Sequence, residues 1–305
     1  MSDLYPLLLR PEFVERPWGA RDLAPIYPQR RCERPVGEVW LTGDGNRVAN
    51  GPLAGRTLGE LCRQYGRALV GESARETGRF PLLIKFLFPR EKLSVQVHPD
   101  DETARRAGEA CGKTECWYVL QADPGTQVAL GLKPGVTRDQ LAQAIREVRA
   151  EELLNWIDIC AGEMIYVDAG TVHTIGPGSI LVETQQNSDT TYRLYDYGRP
   201  REIHIEQGLA ATKESTRAAK VQHDGATLVA SPCFVVEKFA LSETRCFEAA
   251  GSPQIFVALK GSAGVEGASS IAFDRGQVLV VPAGIKNVRV RPNDGLEMLR
   301  MTLPS

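Results

Sequence analysis

The feature that most constrains this chain is a succession of short runs rich in β-branched and aromatic residues, each closed by glycine, proline, aspartate or asparagine. PLLIKFLF (81–88), KLSVQVHP (92–99), ECWYVLQA (115–122), TQVALGL (126–132), EMIYVDAG (163–170), SILVETQQ (179–186) and TTYRLYDY (190–197) follow this pattern. Such side chains pack well on a pleated surface. Runs this short, with turn residues between them, build antiparallel sheets.

Three stretches break the pattern. TLGELCRQYGRALVG (57–71) has Leu58, Leu61, Cys62, Tyr65 and Leu69 at helical spacing, and Gly71 can end it. TRDQLAQAIREVRAEELLNWI (137–157) predicts a second helix with a threonine cap. HIEQGLAATKESTRAAKVQHDG (204–225) predicts a third that runs into a polar linker. Strands resume in CFVVEKFAL (233–241), QIFVALKG (254–261), SIAFDRGQVLVVPAGI (270–285), NVRVRP (287–292) and EMLRMTL (297–303). A chain of 305 residues has room for two domains, here 1–212 and 226–305 with 213–225 as the linker. Strand number and turn chemistry predict a mainly β protein of two double-sheet jelly rolls, or cupins, in tandem, with helices inserted in the first.

Apolar residues at 43% and charged residues at 24% are ordinary for a globular domain. The formal net charge of −2 argues against a nucleic-acid or acidic-lipid footprint and favours a small polar ligand. The longest apolar run, FPLLIKFLFP (80–89), is too short to span a membrane and carries Lys85. Seven scattered cysteines without a close C-x-x-C pair read as reduced thiols in a cytoplasmic protein. Oligomeric state is not legible.

The two halves echo each other. GEMIYVDAGTVH (162–173) aligns without a gap on GQVLVVPAGIKN (276–287), and ECWYVLQA aligns on QIFVALKG. In this register Glu115 and His173 of the first copy become Gln254 and Asn287 in the second. A duplicated β unit that kept one equipped site and lost the other explains the substitution.

The equipped site centres on VQVHPDDE (95–102). Residues two apart on a strand share a face, so Gln96 and His98 point into one space. Two histidines and a carboxylate are the raw material of a catalytic metal site, and His98, His173 and Glu115 can form it. Gln96 adds a neutral oxygen. Such a set suits zinc and also accepts other divalent metals.

LSVQVHPDDE, GKTECWYVL, VDAGTVHTIGPG and VETQQNSDTTYRLYDYGRP, with ERPWGARDL, VGEVW and FPLLIKFL, closely resemble the type I mannose-6-phosphate isomerases, in particular the short bacterial form built from two cupin-like domains. The likeness covers the first two-thirds of the chain. It implies that Gln96, His98, Glu115 and His173 bind one catalytic zinc in the mouth of the first barrel. It also implies that the family's active-site arginine is Arg193, preceded by Asp189, and that the lysine of GKTE is Lys113. The implied reaction moves a proton between adjacent carbons of a sugar phosphate through an enediolate, which fixed positive charge stabilises. Asp189, Lys113 and a metal-bound water are the candidates for the proton-transfer group. Lys85, Ser94 and Lys113 are the candidates for the phosphate, because the chain lacks a GxxxxGK[ST] loop. A non-catalytic sugar- or metabolite-binding double cupin and an iron-dependent oxygenase are the competing readings.

Overall fold

The computed structural model describes residues 4–72, 78–248, 251–266 and 270–304. It is mainly β, and the strand pairings among the described residues are antiparallel. A seven-stranded sheet runs in the order Ala219–Lys220, Met164–Val167, Glu115–Ala122, Ser179–Gln186, Leu82–Leu87, Arg31–Trp40, Glu12–Asp22. A five-stranded sheet faces it, in the order Tyr192–Tyr195, Val95–Val97, His173–Ile175, Gln127–Leu132, Leu154–Asp158. The second half forms an eight-stranded sheet on the long strands Gln254–Glu266 and Asn287–Thr302.

Period-2 alternation sorts the side chains of Glu115–Ala122 between two cores. Trp117 and Val119 join Leu87, Val128, Leu130, Ile165 and Val167 inside the first barrel. Cys116 and Tyr118 face the other way, into a core shared with Val236, Ile255, Val257, Val280 and Met301 of the second half. The N-terminal strand Leu7–Leu9 pairs with Val278–Val281, so the start of the chain lies in the sheet of the second half.

The internal repeat holds in three dimensions. Glu115 pairs with Val167 and Trp117 with Ile165, as Gln254 pairs with Val281 and Phe256 with Leu279. Phe256, Leu279 and Val281 lie inside the second barrel as Trp117, Ile165 and Val167 lie inside the first. There Phe239, Phe247, Phe273 and Met298 fill the space with apolar volume.

Two expectations change in detail, and one hairpin is new. The helix expected at 57–71 is two, Leu58–Tyr65 and Arg67–Val70, because Gly66 between them adopts φ 46°. The helix expected at 137–157 ends at Arg146, and Leu154–Asp158 is a strand. Its edge position beside Gln127–Leu132 rewards extended backbone over local helical spacing. The hairpin Glu12–Asp22 with Arg31–Trp40 went unread because its sequence is polar and interrupted by Pro17 and Pro35.

Candidate metal centre

Arg193, Gln96 and His173 lie opposite one another on three neighbouring strands and form one row across the five-stranded sheet. His98 follows Gln96 on the same face. The facing sheet supplies Glu115 at the start of its strand. Glu115 stands between the imidazoles, with Oε2 3.5 Å from His98 Nε2 and Oε1 3.4 Å from His173 Nε2. Ligands about 2.0–2.2 Å from a tetrahedral zinc stand about 3.3–3.6 Å from each other, which matches these separations. Among the described residues these three form the group of histidine and acid side chains that could hold a metal ion.

The surroundings prepare the rings for ligation. His98 Nδ1 lies 2.9 Å from the Thr190 carbonyl and His173 Nδ1 2.9 Å from the Thr171 carbonyl. Carbonyls only accept, so both Nδ1 atoms carry the proton and both Nε2 atoms turn a lone pair inward. Burial lowers the pKa of each ring, with the Lys113 charge adding to the effect, and His173 falls to about 4. Both are therefore neutral at physiological pH, as metal ligands must be.

The carboxylate and amide fit as well. No donor is aligned on buried Glu115 Oε2. Lys113 Nζ is its counter-ion at 3.1 Å and also lies 3.1 Å from His98 Nε2, so the donors already surround a positive charge. The Gln96 amide nitrogen is 3.2 Å from His173 Nε2, and the Ser94 hydroxyl donates to the Gln96 oxygen at 3.0 Å. Half a turn of that amide presents its oxygen to the same space, with Ser94 then accepting. The donor set fits a divalent cation.

Lys113 contacts Glu115 and His98, Ser94 contacts Gln96, and Arg193 lies in the row of Gln96 and His173. Asp189 is exposed, and its negative charge acts upward on the pKa of Lys113 and, against the stronger lowering by burial and Arg201, on that of Arg193. Lys113 is pulled down by burial but held charged by Glu115 and Glu183, which push its pKa above the ordinary lysine value. Ser94 and Lys85 are buried and already engaged: Ser94 with Gln96, Lys85 with Glu183 at 3.3 Å and Glu38 at 3.8 Å.

Glu38, Glu183, Arg16 and Trp117 were missed. Trp117 Nε1 donates to Glu115 at 3.2 Å and to Glu183 at 3.3 Å, linking the ligand to the charge network behind it. Arg16 Nε meets Glu38 at 3.0 Å. The available signal was an acid and a lysine in the middle of two apolar strands, SILVETQQ and PLLIKFLF, where an unpaired charge would be costly. Burial pushes the Glu38 carboxyl up, but Lys85 and Arg16 outweigh it and hold the pKa at about 2. That carboxylate adds stability above its ordinary pKa near 4.5, and the contribution is lost as pH falls towards 2. Lys85→Met should cost about 3–5 kcal/mol at pH 7, because it leaves two buried acids facing each other. Protonation relieves that repulsion, so the deficit in urea unfolding should shrink towards pH 4; a deficit independent of pH contradicts the network.

The acids of VQVHPDDE do structural work. Asp100 caps the helix Asp101–Arg106 by accepting from the Thr103 N–H at 2.9 Å. Asp101 accepts from the Gly112 N–H at 2.8 Å and from Gln186 Nε2 at 3.0 Å, which ties the turn after His98 to the segment leading into Glu115. A Cβ on Gly112 would meet the Asp100 carbonyl carbon at 2.6 Å and the Asp101 nitrogen at 2.6 Å. Gly112→Ala should therefore cost about 1–3 kcal/mol in thermal unfolding and weaken metal binding, by forcing the two ligand segments apart. Unchanged metal affinity in a destabilised variant would separate the clasp from the site.

The family model for the phosphomannose isomerase type I catalytic domain matches residues 7–125, which contain Gln96, His98 and Glu115. The mannose-6-phosphate isomerase of Streptococcus mutans is 34% identical over 92% of this chain and 94% of its own length. Mannose-6-phosphate isomerase ManA of Bacillus subtilis is 35% identical over the same shares. The crystal structure of the B. subtilis mannose 6-phosphate isomerase superposes with a TM-score of 0.87, at 29% identity, over 98% of this chain and 99% of that one. A zinc-bound mannose 6-phosphate isomerase shares the fold with a TM-score of 0.78, at 17% identity, over 98% of this chain and 100% of that one. The likeness thus runs well past the first two-thirds and through the second barrel. Taken with a ligand set folded into one buried centre, it establishes that the chain belongs to the type I mannose-6-phosphate isomerase family.

Proposed function

We propose that this protein interconverts mannose 6-phosphate and fructose 6-phosphate, a metal-dependent aldose–ketose isomerisation by proton transfer through an enediolate. The observation that carries the reading is the buried centre of two neutral imidazoles and a carboxylate with Arg193 in the same row, its Nε buried and without a hydrogen-bond partner. Kinship with isomerases over nearly the whole chain favours this enzyme over a non-catalytic sugar-binding double cupin.

Gln96, His98, Glu115 and His173 would hold a divalent ion, zinc by the donor set, which when bound supplies fixed positive charge to polarise the sugar oxygens. Arg193 has planar donors to spare and stabilises the enediolate as its charge develops. Lys113, kept charged by Glu115 and Glu183, serves as proton donor. Asp189 stands at the exposed edge as the partner that takes the proton. Lys85 and Ser94, the candidates for the phosphate, act from beside the centre, since their present contacts run to Glu183 and Gln96. In and behind the ligand set, Glu38, Glu115 and Glu183 are matched by Arg16, Lys85 and Lys113, so the charge of a bound cation and of Arg193 remains for an anionic sugar phosphate.

The site unit is 1–212 and the second unit 226–305, joined by 213–225, with Leu7–Leu9 reaching across. Among the described residues no helix is long and apolar enough to cross a membrane. Kinship with metabolic isomerases supports a cytoplasmic enzyme. The test is a coupled assay of metal-loaded protein with mannose 6-phosphate, following fructose 6-phosphate. Turnover that a chelator removes and zinc restores is expected; a metal-loaded protein without turnover sinks the proposal.

A further inference from the structure

His204 contacts the backbone of Arg193. It stands at the N-cap of the helix Ile205–Ala211, yet its side chain makes no capping bond. Serine, threonine, aspartate or asparagine would serve that position better. The ring turns back instead onto the strand Tyr192–Tyr195. Its Nδ1 accepts from the Arg193 N–H at 3.4 Å, and the His204 N–H donates to the Arg193 carbonyl at 2.8 Å. Accepting at Nδ1 leaves the ring proton on Nε2, which faces the Glu202 carboxylate at 3.5 Å.

The strand Tyr192–Tyr195 is the edge of its sheet. Both backbone groups of Arg193 point outward, away from its partner Gln96, and without His204 they would have only solvent. This outward orientation makes Arg193 and Gln96 a non-hydrogen-bonded pair, the pairing that brings opposed Cα atoms to about 4.5 Å and their side chains closest. The helix holds His204 in place. Gly208 N–H donates to the His204 carbonyl at 2.8 Å, and a Cβ on Gly208 would meet Leu194 Cδ2 at 2.5 Å, so the helix is pressed against the strand beside Arg193.

We infer that His204 is a positioning residue for Arg193: it closes both free backbone groups of that edge residue and so holds the guanidinium in the row with Gln96 and His173. The inference rests on the role proposed for Arg193 above. A misplacement of about 1 Å in such a group costs up to about a hundredfold in rate.

The test is a double-mutant cycle on the zinc-loaded enzyme with mannose 6-phosphate. His204→Phe keeps a ring but removes the acceptor. It should lower kcat/KM about tenfold or more, chiefly in kcat, with bound zinc unchanged. In the Arg193→Ala background the same change should have no further effect, since its target is gone. Independent, multiplying losses would overturn the inference alone. A fully active Arg193→Ala enzyme would overturn the role of Arg193 and this inference with it. Should His204→Phe fail to fold, amide exchange in 15N-arginine-labelled wild-type protein decides: a protected Arg193 amide supports the latch, and exchange at the rate of a free edge overturns it.

Discussion

His98→Ala should lose its metal and at least about a thousandfold in turnover, because the several kcal/mol that a bound cation contributes to charge stabilisation goes with it. The expectation follows from how little else in the site can replace the ring. Its Nε2 is held to the centre by the bond between Nδ1 and the Thr190 carbonyl, and Glu115 is already shared between both imidazoles. Without the ring, Lys113 Nζ keeps its ion pair with Glu115, and that pair competes directly with a cation for the carboxylate. Metal analysis after dialysis, alongside the isomerase assay, checks both losses. A variant that retains one zinc per chain and most of its activity would show that His98 is not a ligand.

Arg193→Ala should separate metal from chemistry. Gln96, His98 and His173 are held by Ser94, Thr190 and Thr171 and not by the guanidinium, so zinc content should stay at the wild-type level. Turnover should fall by about 10²–10³, the usual cost of removing one donor aimed at developing negative charge. Burial and the nearby charges of Arg201 and Arg16 press the Arg193 pKa below its ordinary value, but an arginine remains charged at any working pH. The loss should therefore be the same at pH 6 and pH 9. Arg193→Lys should recover only part of it, because a lysine keeps the charge and loses the planar fork. An Arg193→Ala enzyme with wild-type kcat/KM would remove Arg193 from the mechanism.

Much of this protein was legible in its residues. The tandem β architecture followed from short strand runs and turn residues, and the duplication from two gapless alignments. Both alignments reappear as identical pairings, Glu115 with Val167 and Gln254 with Val281. Gln96 and His98 could be placed together because a strand repeats every two residues, a rule that operates within one segment. Local patterning carries that kind of information. The boundary between helix and strand at Leu154 was not legible, since the edge of Gln127–Leu132 lies outside the segment that it organises.

What the sequence by itself determined was the kit: two imidazoles, a carboxylate, an amide, two lysines and an arginine, on strands or beside them. What only the tertiary structure decided was their electrostatics. Glu38 and Glu183 matter because packing sets them beside Lys85, with Arg16 paired to Glu38, and such burial is a property of packed sheets. His204 matters because a helix presses it onto an edge strand whose backbone would otherwise be open. The physical reason is the range of the forces: side-chain periodicity is written locally along the chain, whereas desolvation and charge pairing are set by neighbours that arrive from distant strands.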